Sequence, residues 1–122
     1  MSIAAVPGLY LLPVDVGIGD VYDVFPGRVD VLDAVTDKES LLEAVATTLE
    51  FPGYHRPNWD SYEELLLDLS WLDSGPRVLV LTGSASFAER DPDAWEVSLA
   101  IWARAVQRHA RGSTPLHVFL LA

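Results

Sequence analysis

The sequence predicts a single small α/β domain with a mostly parallel sheet of three to four strands packed against helices. Two continuous apolar runs, RVLVLTG at 77–83 and LHVFLLA at 116–122, have the pattern of strands that are covered on both faces. Helical crossovers between such strands favour parallel pairing and right-handed connections. With 122 residues, the chain is long enough for one compact domain and too short for two ordinary ones.

Two further strands are predicted in the N-terminal third. Residues 8–27 contain a short apolar stretch broken by prolines and glycines, which indicates a small strand, a loop and one turn of helix. Residues 28–34 (RVDVLDA) are β-branched and half alternating, as expected of a strand near a sheet edge. We therefore expect an N-terminal extension over residues 1–27, a strand plus loop packed on the domain, and the domain itself over residues 28–122.

Capping signals and apolar periodicity predict helices before and after the strand at 77–83. TDKE matches a capping box, with Thr36 as the N-cap and Glu39 reaching back. In the last helix, Asp93 is the predicted cap and Gly112 the stop, because apolar residues repeat between them at helical spacing. The C-terminal half of this helix carries bases that we interpret as a charged outer face: Arg104, Arg108, His109 and Arg111.

Composition narrows the class of partner. The 18 acids and 8 bases give a net charge of −10, which argues against a nucleic-acid backbone as the ligand and favours a basic protein. Residues 1–75 hold 14 of the acids, so the charge is concentrated in that half. The absence of cysteine excludes disulfides and thiolate metal sites. The start lacks a signal-peptide pattern and no apolar run approaches membrane-spanning length, so we expect a soluble cytoplasmic protein.

An acidic helix is predicted from Asn58, a good N-cap residue, to Leu72. With a step of about 100° per residue, one side is apolar and is predicted to be core. That side comprises Tyr62, Leu65, Leu66, Leu69 and Leu72. The other side comprises Asp60, Glu63, Glu64, Leu67, Asp68 and Trp71. No base occurs between Ser61 and Pro76, so acids four residues apart repel each other by a few tenths of a kcal/mol per pair.

Two interpretations of this acidic side remain open. Acids on an outward helix face often only keep a protein soluble, whereas acids interleaved with an aromatic residue are typical of a surface that binds a basic protein. The preceding loop contains Tyr54 and His55, and Trp59 opens the helix, where we expect it to pack inward. If the surface binds a partner, Asp60 and Glu64 should be exposed and should accept no strong internal ion pair.

These residues resemble the barstar family, intracellular inhibitors of secreted ribonucleases of the barnase type. The motif stands here as Phe51-Pro52-Gly53-Tyr54, His55 at an aromatic position and Asn58-Trp59-Asp60-Ser61, followed in the helix by Glu64, Leu66, Asp68 and Leu69. The likeness covers roughly residues 28–122. It implies a barstar-like fold in which loop and helix plug a ribonuclease active site, with acids replacing the RNA phosphates. Glu64 stands where the principal acid, usually Asp, stands, and Arg56-Pro57 replaces a usual Gly and a variable residue.

We predict a partner-binding surface and no catalytic residue, metal or cofactor. Its members are Tyr54, His55, Asn58, Trp59, Asp60, Glu63, Glu64, Leu67, Asp68 and Trp71. The expected partner is a basic protein, a secreted ribonuclease toxin, and we expect a monomer when the protein is free. The alternatives are an immunity or interaction module against another basic toxin or partner, without ribonuclease inhibition, and mimicry of nucleic acid toward a basic partner that is not a nuclease.

An enzyme is a weaker alternative. The sequence has no H-E-x-x-H, P-loop or G-x-G-x-x-G motif, and the serines at 84 and 86 lack the nucleophile-elbow pattern. Asp60 and Glu64 could form an acid–base pair or hold Mg²⁺ or Ca²⁺, but no surrounding pocket is predicted. The three histidines are scattered, and His117 is expected to be a buried, hydrogen-bonded core residue.

Overall fold

The computed structural model describes residues 5–122, which form one parallel sheet and its surrounding helices. The strands are β1 (Gly8–Leu11), β2 (Val29–Leu32), β3 (Arg77–Leu81) and β4 (Leu116–Leu120). The helices are α1 (Ile18–Val24), α2 (Lys38–Thr48), α3 (Trp59–Asp68), α4 (Ser84–Arg90) and α5 (Pro92–His109). Within these residues, no helix is long and apolar enough to cross a membrane.

All strand pairs in the sheet are parallel, and the strand order is β1-β4-β3-β2. The α/β prediction is therefore confirmed, and β2 lies at a sheet edge as its half-alternating sequence indicated. The other edge is β1, which pairs with β4 from Gly8 opposite His117 to Leu11 opposite Leu120. The N-terminal strand is thus part of the sheet itself.

Helices cover both faces of the sheet, which explains the continuous apolar runs of β3 and β4. Along β3, Leu79 and Leu81 point into the larger core, whereas Val78 and Val80 point into a smaller one. The larger core includes buried residues of α2, α3 and α5, and the smaller core contains Val21 of α1. The acidic helix therefore packs on the side of the sheet that holds the larger core.

The predicted caps of α2 and α5 are each displaced by one or two residues. Asp37, not Thr36, caps α2, because its carboxylate accepts from the Ser40 amide at 2.8 Å while the Ser40 hydroxyl accepts from the Asp37 amide at 3.1 Å. Asp91, not Asp93, caps α5, because Pro92 is suited to the first helical turn, where an amide is not needed.

The acidic helix ends earlier than predicted, at Asp68 instead of Leu72. Leu69 adopts a left-handed conformation (φ 51°), and its amide donates to Leu65 O at 3.1 Å. This turn brings Trp71 back toward α2, where the indole Nε1 donates to Leu49 O at 2.9 Å. The helical spacing of apolar residues continues to Leu72, but the helix ends at Asp68, and the Trp71–Leu49 hydrogen bond fixes the chain that follows.

Candidate protein-binding surface

Three carboxylates form a row along the exposed side of α3. Asp60, Glu64 and Asp68 are all exposed, which confirms the predicted exposure of the first two. They are spaced four residues apart, or about 6 Å along the helix axis for each step. Among residues 5–122, none of the three forms an ion pair. We call these three residues the acidic face.

Glu63 does not belong to the acidic face. It is half-buried and forms an ion pair with Arg104 of α5, so its charge is compensated within the protein. Although the sequence has no base between Ser61 and Pro76, the fold therefore places Arg104 of α5 beside α3. An exposed pair of this kind contributes at most about 1 kcal/mol to stability. Its clearer effect is to hold α3 against α5 in one orientation.

Two more groups of α5 bind the C-terminal end of α3. Arg108 Nε donates to Leu67 O at 2.7 Å, and His109 Nε2 donates to Leu66 O at 2.9 Å. Helix C-termini leave carbonyl oxygens without intrahelical partners and carry a partial negative charge, so donors from a neighbouring helix stabilise this end. The prediction of a charged outer face on α5 is wrong for His109, which is buried, whereas Arg104 and Arg108 are exposed and also contact α3.

The start of α3 is fixed by local hydrogen bonds. Asn58 caps the helix as predicted, since its Oδ1 accepts from the Ser61 amide at 2.8 Å. The Ser61 hydroxyl in turn accepts from the Arg56 amide at 2.8 Å. The Asn58 side chain is therefore exposed but already has a structural role. These two bonds join the preceding loop rigidly to the first turn of α3.

Arg56, one of the two residues that differ from the motif described above, holds the loop over residues 51–57 together. The Arg56 guanidinium donates to the carbonyl oxygens of Tyr54 (2.9 Å) and His55 (3.2 Å). The His55 amide donates to Pro52 O at 3.1 Å, and its Nδ1 lies 3.1 Å from the same oxygen. The positive charge therefore folds back onto the loop, and the Tyr54 side chain remains 66% exposed.

The apolar residues that we predicted to be part of the binding surface are half-buried and pack against the core. Leu67 and Trp71, which the helical pattern placed among the acids, are half-buried and pack against the larger core. The Trp71 ring meets Phe51 edge to face at 5.8 Å. Trp59 packs inward as expected, with its ring 5.8 Å from that of Tyr62. These aromatic contacts, with the ring of Phe51 also 6.3 Å from that of Tyr62, join the loop, α3 and the turn after α3 into one support.

Tyr62 lies at the centre of this support and is buried. Its hydroxyl has no hydrogen-bond partner among the described residues. Burial in apolar surroundings raises the pKa of this phenol, because the charged form loses its solvation. The side chain therefore acts as a neutral packing element.

The surface lacks the groups of a metal centre. Within residues 5–122, no three or more His, Asp or Glu side chains are arranged to hold a metal ion. A groove lies between α2 and loop 51–57, but neither Asp60 nor Glu64 lines it. Two exposed carboxylates on an open helix face suit recognition of an extended cationic surface better than chemistry on a small molecule.

Comparison with known proteins identifies the family. The family model described as "Barstar (barnase inhibitor)" matches residues 28–121, a span that runs from the strand β2 to the end of the sheet and includes loop 51–57 and α3. A search of curated proteins finds no match to this chain. The matched span is most of the chain and includes the whole surface described above. By this match, the chain belongs to the barstar family of barnase inhibitors.

Proposed function

We propose that this protein inhibits a basic, barnase-type ribonuclease by placing loop 51–57 and the acidic face over the enzyme's active site. The observation that supports this most directly is the row of Asp60, Glu64 and Asp68, exposed and without ion pairs among the described residues. Unpaired like charges along one helix face cost stability. A cationic cleft would compensate that cost on binding.

The hydrogen bonds that fix α3 in one position also support the proposal. The Asn58 cap fixes its first turn, and Arg104 and Arg108 of α5 hold its remaining length. Because the backbone that carries these carboxylates is already held in place, association costs little loop entropy. Tyr54, the large exposed side chain beside them, is of a type that often contributes most to an interface.

The first prediction tests this mechanism with barnase as the enzyme. Titration with the intact protein should inhibit RNA cleavage, and Glu64→Gln should raise the inhibition constant at least tenfold, or about 1.4 kcal/mol. Glu96→Gln is the matched control, because Glu96 is exposed on α5 and the substitution changes the net charge equally. Inhibition should also weaken as salt is raised from about 0.05 to 0.5 M, since ions screen the exposed charges.

The proposal is wrong if the wild-type protein leaves barnase fully active. It is also wrong if Glu64→Gln and Glu96→Gln inhibit equally well. The second outcome would mean that the charge of Glu64 contributes no more to inhibition than a charge elsewhere on the protein.

One observation favours a second candidate, an interaction or immunity module for another basic protein. Arg56 and Pro57 alter the loop, and the Arg56 side chain is used to order it. A partner could therefore dock on the acidic face without its active site being closed. In that case the protein would bind another basic protein, with Glu64→Gln weakening that complex, and would leave RNA cleavage by barnase uninhibited.

A further inference from the structure

The groove between α2 and loop 51–57 has a volume of about 790 Å³, which is in the size range of sites for small ligands. Its lining combines an apolar part with a charged rim. The apolar part comprises Leu42, Ala46, Phe51 and Tyr62. Loop residues His55, Arg56 and Pro57 line the groove, and the same loop leads directly into α3, which carries the acidic face.

The two cations of the lining are already engaged. The Lys38 Nζ lies 5.2 Å from the ring centroid of Trp59, in a cation–π contact. The Arg56 guanidinium donates to the carbonyl oxygens of Tyr54 and His55. Neither charge forms an ion pair with the carboxylates of the groove.

Four carboxylates line the same groove, and two of them form neither a capping hydrogen bond nor an ion pair among residues 5–122. Asp37 and Asp91 accept from backbone amides as the caps of α2 and α5. Glu39 and Glu43 are exposed, stand four residues apart on α2 and have no ion pair among residues 5–122. The field at the mouth of the groove therefore favours a cation.

We propose that this groove receives an arginine side chain of the same basic partner, so that the partner contacts the groove as well as the acidic face. This inference rests on the proposed function. The methylene stem of an arginine can cover Leu42 and Ala46, while its planar guanidinium stacks on Phe51 and pairs with Glu43. Tyr62 lines the groove beside Phe51 and adds a second ring to its apolar part.

The first experiment tests the groove without any ribonuclease. Titration with N-acetyl-arginine amide should shift the backbone amide NMR signals of Leu42, Ala46 and Thr47, and N-acetyl-citrulline amide, a neutral isostere, should not. The variant Glu39→Gln/Glu43→Gln should bind at least fivefold more weakly. Asp15→Asn/Asp23→Asn is the control, because both residues are exposed outside the groove and the net charge changes equally. Absence of these shifts, or equal binding by the two variants, overturns the inference.

The second experiment measures inhibition of barnase by the same two variants. Glu39→Gln/Glu43→Gln should raise the inhibition constant at least fivefold, and Asp15→Asn/Asp23→Asn should change it less than twofold. If Glu64→Gln impairs inhibition but the two double variants are equal, the groove is not part of the interface and the proposed function stands. If wild-type protein does not inhibit, the proposed function fails, and with it the inference about its partner.

Discussion

At the scale of single residues, Tyr62 illustrates what helical periodicity can and cannot predict. The pattern placed this side chain on the core face, and it is buried. The pattern gave no sign that its hydroxyl lacks a partner, because the surrounding rings come from distant parts of the chain, including Trp102 on α5. Burial follows from local spacing, whereas hydrogen bonding of the buried atom depends on tertiary neighbours.

The second prediction is that Tyr62→Phe raises the free energy of unfolding by about 1 kcal/mol, because it removes a buried polar group that is not hydrogen-bonded and keeps the ring. Urea denaturation of both proteins measures the change. Tyr54→Phe is the control, since its hydroxyl lies on an exposed side chain and its loss should leave stability unchanged. A loss of more than 1 kcal/mol in Tyr62→Phe would show that the hydroxyl has a stabilising partner.

At the scale of elements, the two ends of α3 differ in how far they could be predicted. The start is a local signal, because Asn58 bonds to an amide only three residues away. The end depends on Arg108 and His109, which lie more than 40 residues further along the chain. Even local caps are ambiguous where polar residues adjoin, since Thr36 could cap by accepting from the Glu39 amide, whereas Asp37 caps by accepting from the Ser40 amide.

The third prediction concerns the cap of the acidic helix. Asn58→Ala should lower the free energy of unfolding by about 1 kcal/mol, because the Ser61 amide loses its acceptor, whereas Asn58→Asp should retain most of that stability. Thermal and urea unfolding measure both. Equal stability of the alanine and aspartate variants would contradict the capping role. Because the cap also orients the first turn, the alanine variant should inhibit barnase less well than Asn58→Asp.

At the scale of the whole molecule, the sheet order places β4 between β1 and β3 and buries His117. His117 was expected to be a hydrogen-bonded core residue; it is buried and has a hydrogen bond with the backbone of Val6, but its Nδ1 has no partner among residues 5–122. The Phe25 ring lies 4.7 Å from the imidazole. Desolvation by these surroundings lowers the pKa of His117, because the protonated ring loses its hydration.

The fourth prediction is a stability loss in mild acid. Since the pKa of His117 is lower in the folded state, the unfolded chain binds a proton more readily, so stability is full above the unfolded value of about 6.5 and falls as the pH drops through it. Urea unfolding between pH 8 and 5.5 should show this slope in the wild type. His117→Gln should reduce the slope, and His55→Gln, at an exposed position, should preserve it. An unchanged slope in His117→Gln would contradict the prediction.

The sequence by itself determined the α/β class, the buried strands, the core side of the acidic helix and the exposure of Asp60 and Glu64, because these follow from the period of apolar residues along a single element. Only the tertiary structure decided that Glu63 is neutralised by Arg104 and that Leu67 and Trp71 lie beneath the surface. It also decided the strand order and the groove beside loop 51–57. The reason is physical: these features depend on which distant segments meet, and one sequence records the period of each segment but not its neighbours.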